Sequence, residues 1–194
     1  VSLAWILALI ARLLVTGCLH EDGLADFFDG FGGGTTRERT LAIMKDSHIG
    51  SYGVIGLICY FLLLLQLHHL PLGLLCILVL SGDCWSKFCA SQIVNYLPYA
   101  RKEEDSKSKT VYNRMSRHEL LAGFLCGLLP FVLLLPIKLW IATLFPLLTF
   151  FLLYRLMKRR LQGYTGDCCG ATFLLCELSF YLSLIHISEP TRPY

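Results

Sequence analysis

Gly50-Ser-Tyr-Gly-Val-Ile-Gly-Leu-Ile-Cys-Tyr-Phe-Leu-Leu-Leu-Leu-Gln-Leu67 is a stretch of eighteen residues without a charged side chain. Wound as a helix at about 1.5 Å per residue it nearly matches the roughly 30 Å hydrocarbon core of a bilayer. Its apolar residues form a continuous run, which marks a membrane span and not a soluble helix with one buried stripe. Comparable runs extend over Val1 to Leu19, broken only by Arg12 and small polar residues, and over Leu70 to Asn95, Leu120 to Ile137 and Leu139 to Tyr154, with a last one from Ala171. The expected fold is all-α: a polytopic integral membrane helical bundle of about six spans forming one domain over residues 1–182.

Composition agrees, with 55% hydrophobic and 16% charged residues and a net charge of +3 among 194 residues. The basic residues lie between the apolar runs and are not interleaved with aromatics, so no nucleic-acid surface is expected. Most of the nine cysteines sit in or beside apolar runs, without Cys-x-x-Cys or zinc-type spacing, and read as packing residues. The chain opens directly into a span and reads as an N-terminal fragment rather than one starting with a signal peptide. Residues 183–194 resemble a translated sequencing adapter and are set aside from functional reasoning.

Between the first two spans lies His20-Glu-Asp-Gly-Leu-Ala-Asp-Phe-Phe-Asp-Gly-Phe-Gly-Gly-Gly34. On a helix Asp22, Asp26 and Asp29 stand at i, i+4 and i+7 and fall within roughly 60° of one another. Like charges so close repel, and hard cations such as Mg²⁺ favour clustered carboxylate oxygens, so the expectation is a metal site. Gly32, Gly33 and Gly34 then lead into Thr35-Thr36-Arg37-Glu38, where Thr35 and Glu38 have capping-box spacing and a short helix should begin near Thr36. A glycine loop feeding a helix N-terminus offers N–H groups to phosphate, and Arg37 and Arg39 add charge. In the third span Asp83 and Lys87 stand at i, i+4, either a functional pair or a mutually neutralising one.

Lys and Arg outside the spans number three in residues 20–50, six in 96–118 and four in 155–169, against one, Lys138, in the alternate turns. By the positive-inside rule the acidic stretch, the 96–118 loop and the Thr165-Gly-Asp167 turn share the cytoplasmic face. Asp167 is thereby expected beside the three aspartates.

Several separate motifs occur in order: His20-Glu-Asp-Gly-Leu-Ala-Asp26, Asp29-Gly, Arg37-Glu-Arg, Ile43-Met-Lys-Asp-Ser47, Gly50-Ser-Tyr-Gly53, Pro98-Tyr-Ala-Arg101 and Gly163-Tyr-Thr-Gly-Asp167. On these the chain resembles the cobalamin synthase (adenosylcobinamide-GDP ribazoletransferase) family over about residues 1–182. The resemblance implies a Mg²⁺-dependent transferase in the bacterial cytoplasmic (inner) membrane. It would join α-ribazole, or its 5′-phosphate, to adenosylcobinamide-GDP and release GMP, giving adenosylcobalamin or its 5′-phosphate. It implies catalytic roles for His20, Glu21, Asp22, Asp26 and Asp29, with Glu21 or His20 taking the nucleophile's proton. Metal contacts fall to Asp22, Asp26, Asp29 and Asp167. Substrate or phosphate contacts fall to Gly32, Gly33, Gly34, Arg37, Arg39, Asp46, Lys87, Arg101 and Thr165. Where the family often has Ser-Arg in the third span, this chain has Ser86-Lys87. A homo-oligomer, or a complex with other cobalamin-assembly enzymes, is left open. The competing readings are a CDP-alcohol phosphotransferase-like enzyme and a polytopic transporter with Asp83, Lys87 and Glu177 along an ion path.

Overall fold

The computed structural model describes residues 2–101 and 113–188, so residues 102–112 of the polar 96–118 loop and residues 189–194 of the adapter-like tail lie outside the described residues. The described chain forms helices α1 (Ser2–Thr16), α2 (Leu19–Gly33), α3 (Arg37–Lys45), α4 (Ser51–Leu65), α5 (Leu72–Ser91), α6 (Ile93–Tyr96), α7 (Arg117–Leu134), α8 (Leu144–Arg160) and α9 (Gly166–Ser188). Short 3-10 turns precede α5 and α8, at Gln66–His69 and Ile137–Thr143. Among the described residues five segments are long and apolar enough to cross a membrane, and the bent pair α1 and α2 makes up to six. Leu121, Leu125, Leu129, Val132 and Leu133 on α7 and Leu148 and Leu152 on α8 are exposed, as lipid-facing side chains must be.

The first run is not one straight span as expected. α1 ends after fifteen residues, about 22 Å at helical rise, and the chain turns by 87° into α2. The corner is a left-handed one, with φ of 61° at Gly17 and 57° at Cys18. Cys18 N–H donates to Leu13 C=O at 3.0 Å and Gly17 N–H to Leu14 C=O at 3.4 Å, which closes α1 in the Schellman manner. The acidic stretch is therefore its own helix. Pro71 and Pro136 each follow a helix and precede the next, where a ring without an N–H costs nothing. α3 is capped by Thr36, whose side chain accepts from Arg39 N–H, one residue later than the Thr35–Glu38 box expected.

α9 is the centre of the bundle. It packs against α2, α5, α8 and α4, and Leu174, Cys176, Phe180 and Tyr181 are buried. An edge-to-face chain joins Trp85, Phe131 and Phe180, with ring separations of 6.1 and 5.3 Å.

Candidate active site at the polar end of the bundle

α2 and α9 cross where neither has a side chain in the way. A Cβ on Gly23 would lie 3.1 Å from Asp167 Cα, and one on Gly170 would lie 3.2 Å from the His20 carbonyl oxygen. This contact sets the acidic face of α2 against the N-terminus of α9, where Asp167 occupies the first turn. Asp167 Oδ2 accepts from Arg101 at 3.2 Å and from the Thr165 hydroxyl at 3.2 Å. The Arg101 side chain is only 6% exposed, and its Nε is buried without a hydrogen-bond partner among the described residues.

The loop that carries Arg101 is held by backbone. Ala100 N–H donates to Tyr164 C=O at 2.8 Å and Tyr164 N–H to Pro98 C=O at 3.0 Å. Gly163 is required there, since a Cβ would fall 2.6 Å from the Pro98 carbonyl oxygen. Arg37 donates to Leu161 C=O at 2.7 Å and to Ala100 C=O at 2.8 Å, and Arg160 donates to Gly34 C=O. The acidic stretch, the 96–118 loop and the Thr165-Gly-Asp167 turn, expected on one face, are thus brought together through residues 20–37, 98–101 and 160–167.

The acidic residues of α2 divide. Asp22 is exposed, Asp26 half-buried, and Asp29 and Glu21 buried. The helical alignment holds, yet the face it defines runs from open surface into packed protein. Asp29 Oδ2 accepts Gly50 N–H at 2.7 Å and Asp29 Oδ1 accepts Gly53 N–H at 2.8 Å, so this carboxylate caps α4 from another helix. Gly50, at the start of α4, supplies no side-chain cap of its own. Glu21 Oε2 is buried with no hydrogen-bond partner among the described residues. No three His, Cys, Asp or Glu side chains among the described residues are gathered as a metal site.

The phosphate residues are redistributed as well. Gly32 and Gly33 lie inside α2 and not in a loop, and Gly34 ends the helix by donating to Gly30 C=O. In a helix those N–H groups serve the ladder, and the expected glycine cradle is not formed. A Cβ on Gly32 would strike the Tyr52 ring, 2.5 Å away, so the glycine serves the close contact of α2 with α4. Arg37 is engaged with two carbonyls, whereas Arg39 is exposed. Asp46 is exposed and bound to its neighbour His48, whose ring nitrogen lies 2.7 Å away and whose N–H donates at 3.0 Å. Those bonds hold its carboxyl below the usual aspartate value. Thr165 is fully buried and caps α9 through Cys168 N–H. Lys87 pairs with Asp83 at 2.8 Å, and its Nζ sits 5.3 Å from the Phe173 ring centre. His20 meets the same ring edge-on at 4.9 Å.

Two groups of residues escaped sequence reasoning. Arg160 reads as one of four basic residues after a span, with nothing local to mark its bond to α2. Arg12 was visible as the one charge in the first run, and the structure supplies its partner: Glu177, fully buried, at 2.8 Å, with Tyr181 donating to the same carboxylate at 2.8 Å.

A family profile described as cobalamin-5-phosphate synthase matches residues 1–185. Relatives named adenosylcobinamide-GDP ribazoletransferase include one from Shewanella amazonensis, 43% identical over 95% of this chain and 73% of its own length. Another from Vibrio parahaemolyticus is 39% identical over 95% and 70%, and one from Polaromonas sp. is 37% identical over 93% and 72%. No solved structure matches.

Proposed function

This chain belongs to the cobalamin-5-phosphate synthase family, and from that membership we propose that it acts as an adenosylcobinamide-GDP ribazoletransferase in the final step of cobalamin synthesis. A hydroxyl oxygen of ribazole attacks the corrinoid-side phosphorus of the diphosphate. The new P–O bond forms as the bridging P–O bond breaks, and GMP leaves with the electron pair. The observation that carries the placement of this chemistry is the meeting of Arg101, Asp167 and the Glu21 to Asp26 turn at one end of the bundle.

The proton of the attacking hydroxyl goes to Glu21. A buried carboxylate with an unengaged oxygen is a better acceptor than the partly buried His20, which packs edge-on against Phe173. Arg101 supplies a cation held at fixed orientation for the diphosphate, and the exposed Arg39 can reach the same ligand from α3. Arg37 positions the loop that carries Arg101.

The carboxylates of Asp22, Asp26 and Asp167 suit a hard divalent cation in chemistry, and Mg²⁺ is assigned to them; since the three are not gathered as a metal site, binding would have to draw them together. Asp29 is left out because both its oxygens serve α4. Bound there, the cation would offset negative charge on the diphosphate.

The basic-residue count supports a cytoplasmic active face in a bacterial inner membrane. Labelling of a Ser47→Cys variant, in a cysteine-depleted background, from the cytoplasmic side alone is the expected result; periplasmic labelling overturns it. Both competing readings lose ground: family membership points away from a CDP-alcohol phosphotransferase, and the charges of the transporter path are paired, Asp83 with Lys87 and Glu177 with Arg12.

Asp26→Asn keeps size and removes charge. It should lower Mg²⁺-dependent GMP release by about a hundredfold or more, with the protein still inserted and folded. Wild-type turnover at limiting Mg²⁺ would remove Asp26 from the site.

A further inference from the structure

Phe173 lies about one and two-thirds turns beyond Asp167 on α9, about 9 Å further along the helix. Three nitrogen-bearing side chains from three other helices surround its ring. Arg12 of α1 has its guanidinium carbon 5.4 Å from the ring centre, Lys87 of α5 has Nζ at 5.3 Å, and the His20 ring of α2 is at 4.9 Å. An apolar residue that is 4% exposed needs no such company for its own burial. Intramembrane cations are costly and mark ligand paths more often than packing.

The arrangement is held in place by two carboxylates, which leave part of its donor capacity unused. Glu177 anchors Arg12 through Nη1, at 2.8 and 3.0 Å, while Arg12 Nη2 is buried with no partner among the described residues. His20 Nδ1 is likewise buried without a partner. Lys87 is tied to Asp83 through one of its three protons, and its side chain is 56% exposed. The two carboxylates neutralise the two formal charges and leave unengaged nitrogens facing a common ring.

We propose that Arg12, His20 and Lys87, gathered around Phe173, form a second anion site that holds the phosphate monoester of a 5′-phosphorylated ribazole. The proposal rests on the transferase reading above, and the family description, cobalamin-5-phosphate, names a product that retains such a phosphate. The free hydroxyls of a 5′-phosphorylated riboside lie across the ribose ring from its phosphate. A phosphate held at Phe173 therefore points a hydroxyl toward Glu21 and Asp167, where the diphosphate of the other substrate is placed. One sugar spans the two anion sites.

The test compares two nucleophiles on the full chain in membranes: α-ribazole 5′-phosphate and α-ribazole. Lys87→Gln should lower the ratio of their kcat/KM values, phosphorylated over unphosphorylated, by about tenfold, chiefly through KM. Lys87→Arg should restore the ratio. Asp83→Asn, which releases the Lys87 ammonium, should move it the other way. A merely structural role for these residues would change both nucleophiles together. An unchanged ratio in Lys87→Gln, or a fall in the ratio in Asp83→Asn, overturns the anion site. If the wild-type protein transfers neither nucleophile, it is the transferase reading that fails.

Discussion

α7 and α9 are of similar length and apolarity, with mean hydropathies of 1.5 and 1.7 over their most apolar stretches, yet 11% of one stretch is buried inside the protein and 72% of the other. Hydropathy decides that a helix enters a bilayer; it does not decide which neighbours the helix finds there, because lipid is as apolar as leucine. What distinguishes α9 is its small and polar content. Gly170 lets α2 approach, and Glu177 receives Arg12 and Tyr181. α7 presents leucines and valine to the outside and meets the bundle chiefly along α5.

The sharpest way to break this contrast is to remove charge from the middle of α9. Glu177→Ala leaves Arg12 without its partner and should destabilise the protein by about 3–5 kcal/mol, whereas Arg12→Met with Glu177→Met should recover most of that loss. Equal melting temperatures for the single and double variants would show that α9 is central for another reason. Gly170→Leu, which drives a side chain into the His20 backbone, should cost about 3 kcal/mol in a detergent unfolding experiment.

Asp29→Ala tests the contrast at its edge. Losing two hydrogen bonds to the N-terminus of α4 should cost about 2 kcal/mol and lower activity through stability alone, unlike Asp26→Asn, which should act on turnover in a stable protein. The smallest effect belongs to α7: Gly123→Ala, whose added carbon would meet Phe88 at 3.4 Å, should leave the melting temperature nearly unchanged. A large shift there would erase the distinction between the two helices.

The spans were legible because an uncharged run of eighteen residues has few other places to go. The convergence of the three polar segments was legible from charge, since the basic residues mark one end of every alternate helix. The uses of Asp29, Arg37 and Arg160 were not. Each bonds to backbone groups 21 to 129 residues away, and no local pattern announces a partner chosen by tertiary packing. The corner after α1 had a signal in Gly17, which ends helices readily, but an otherwise unbroken apolar run outweighed it. The glycines after Asp29 were read through composition alone; a helix that must lie close to two others needs the same residues as a phosphate loop.

The bond from Arg160 to the last turn of α2 also dictates an order of events during synthesis. The acidic helix leaves the ribosome before its partners: the guanidinium that caps it, the Leu161 carbonyl that receives Arg37 and the Asp167 that meets Gly23 all follow more than a hundred residues later. Until α8 and α9 arrive, the helix carries uncapped carbonyls and unmatched carboxylates beside the bilayer. Of the segments that meet here, the one translated first is the last to find all its partners.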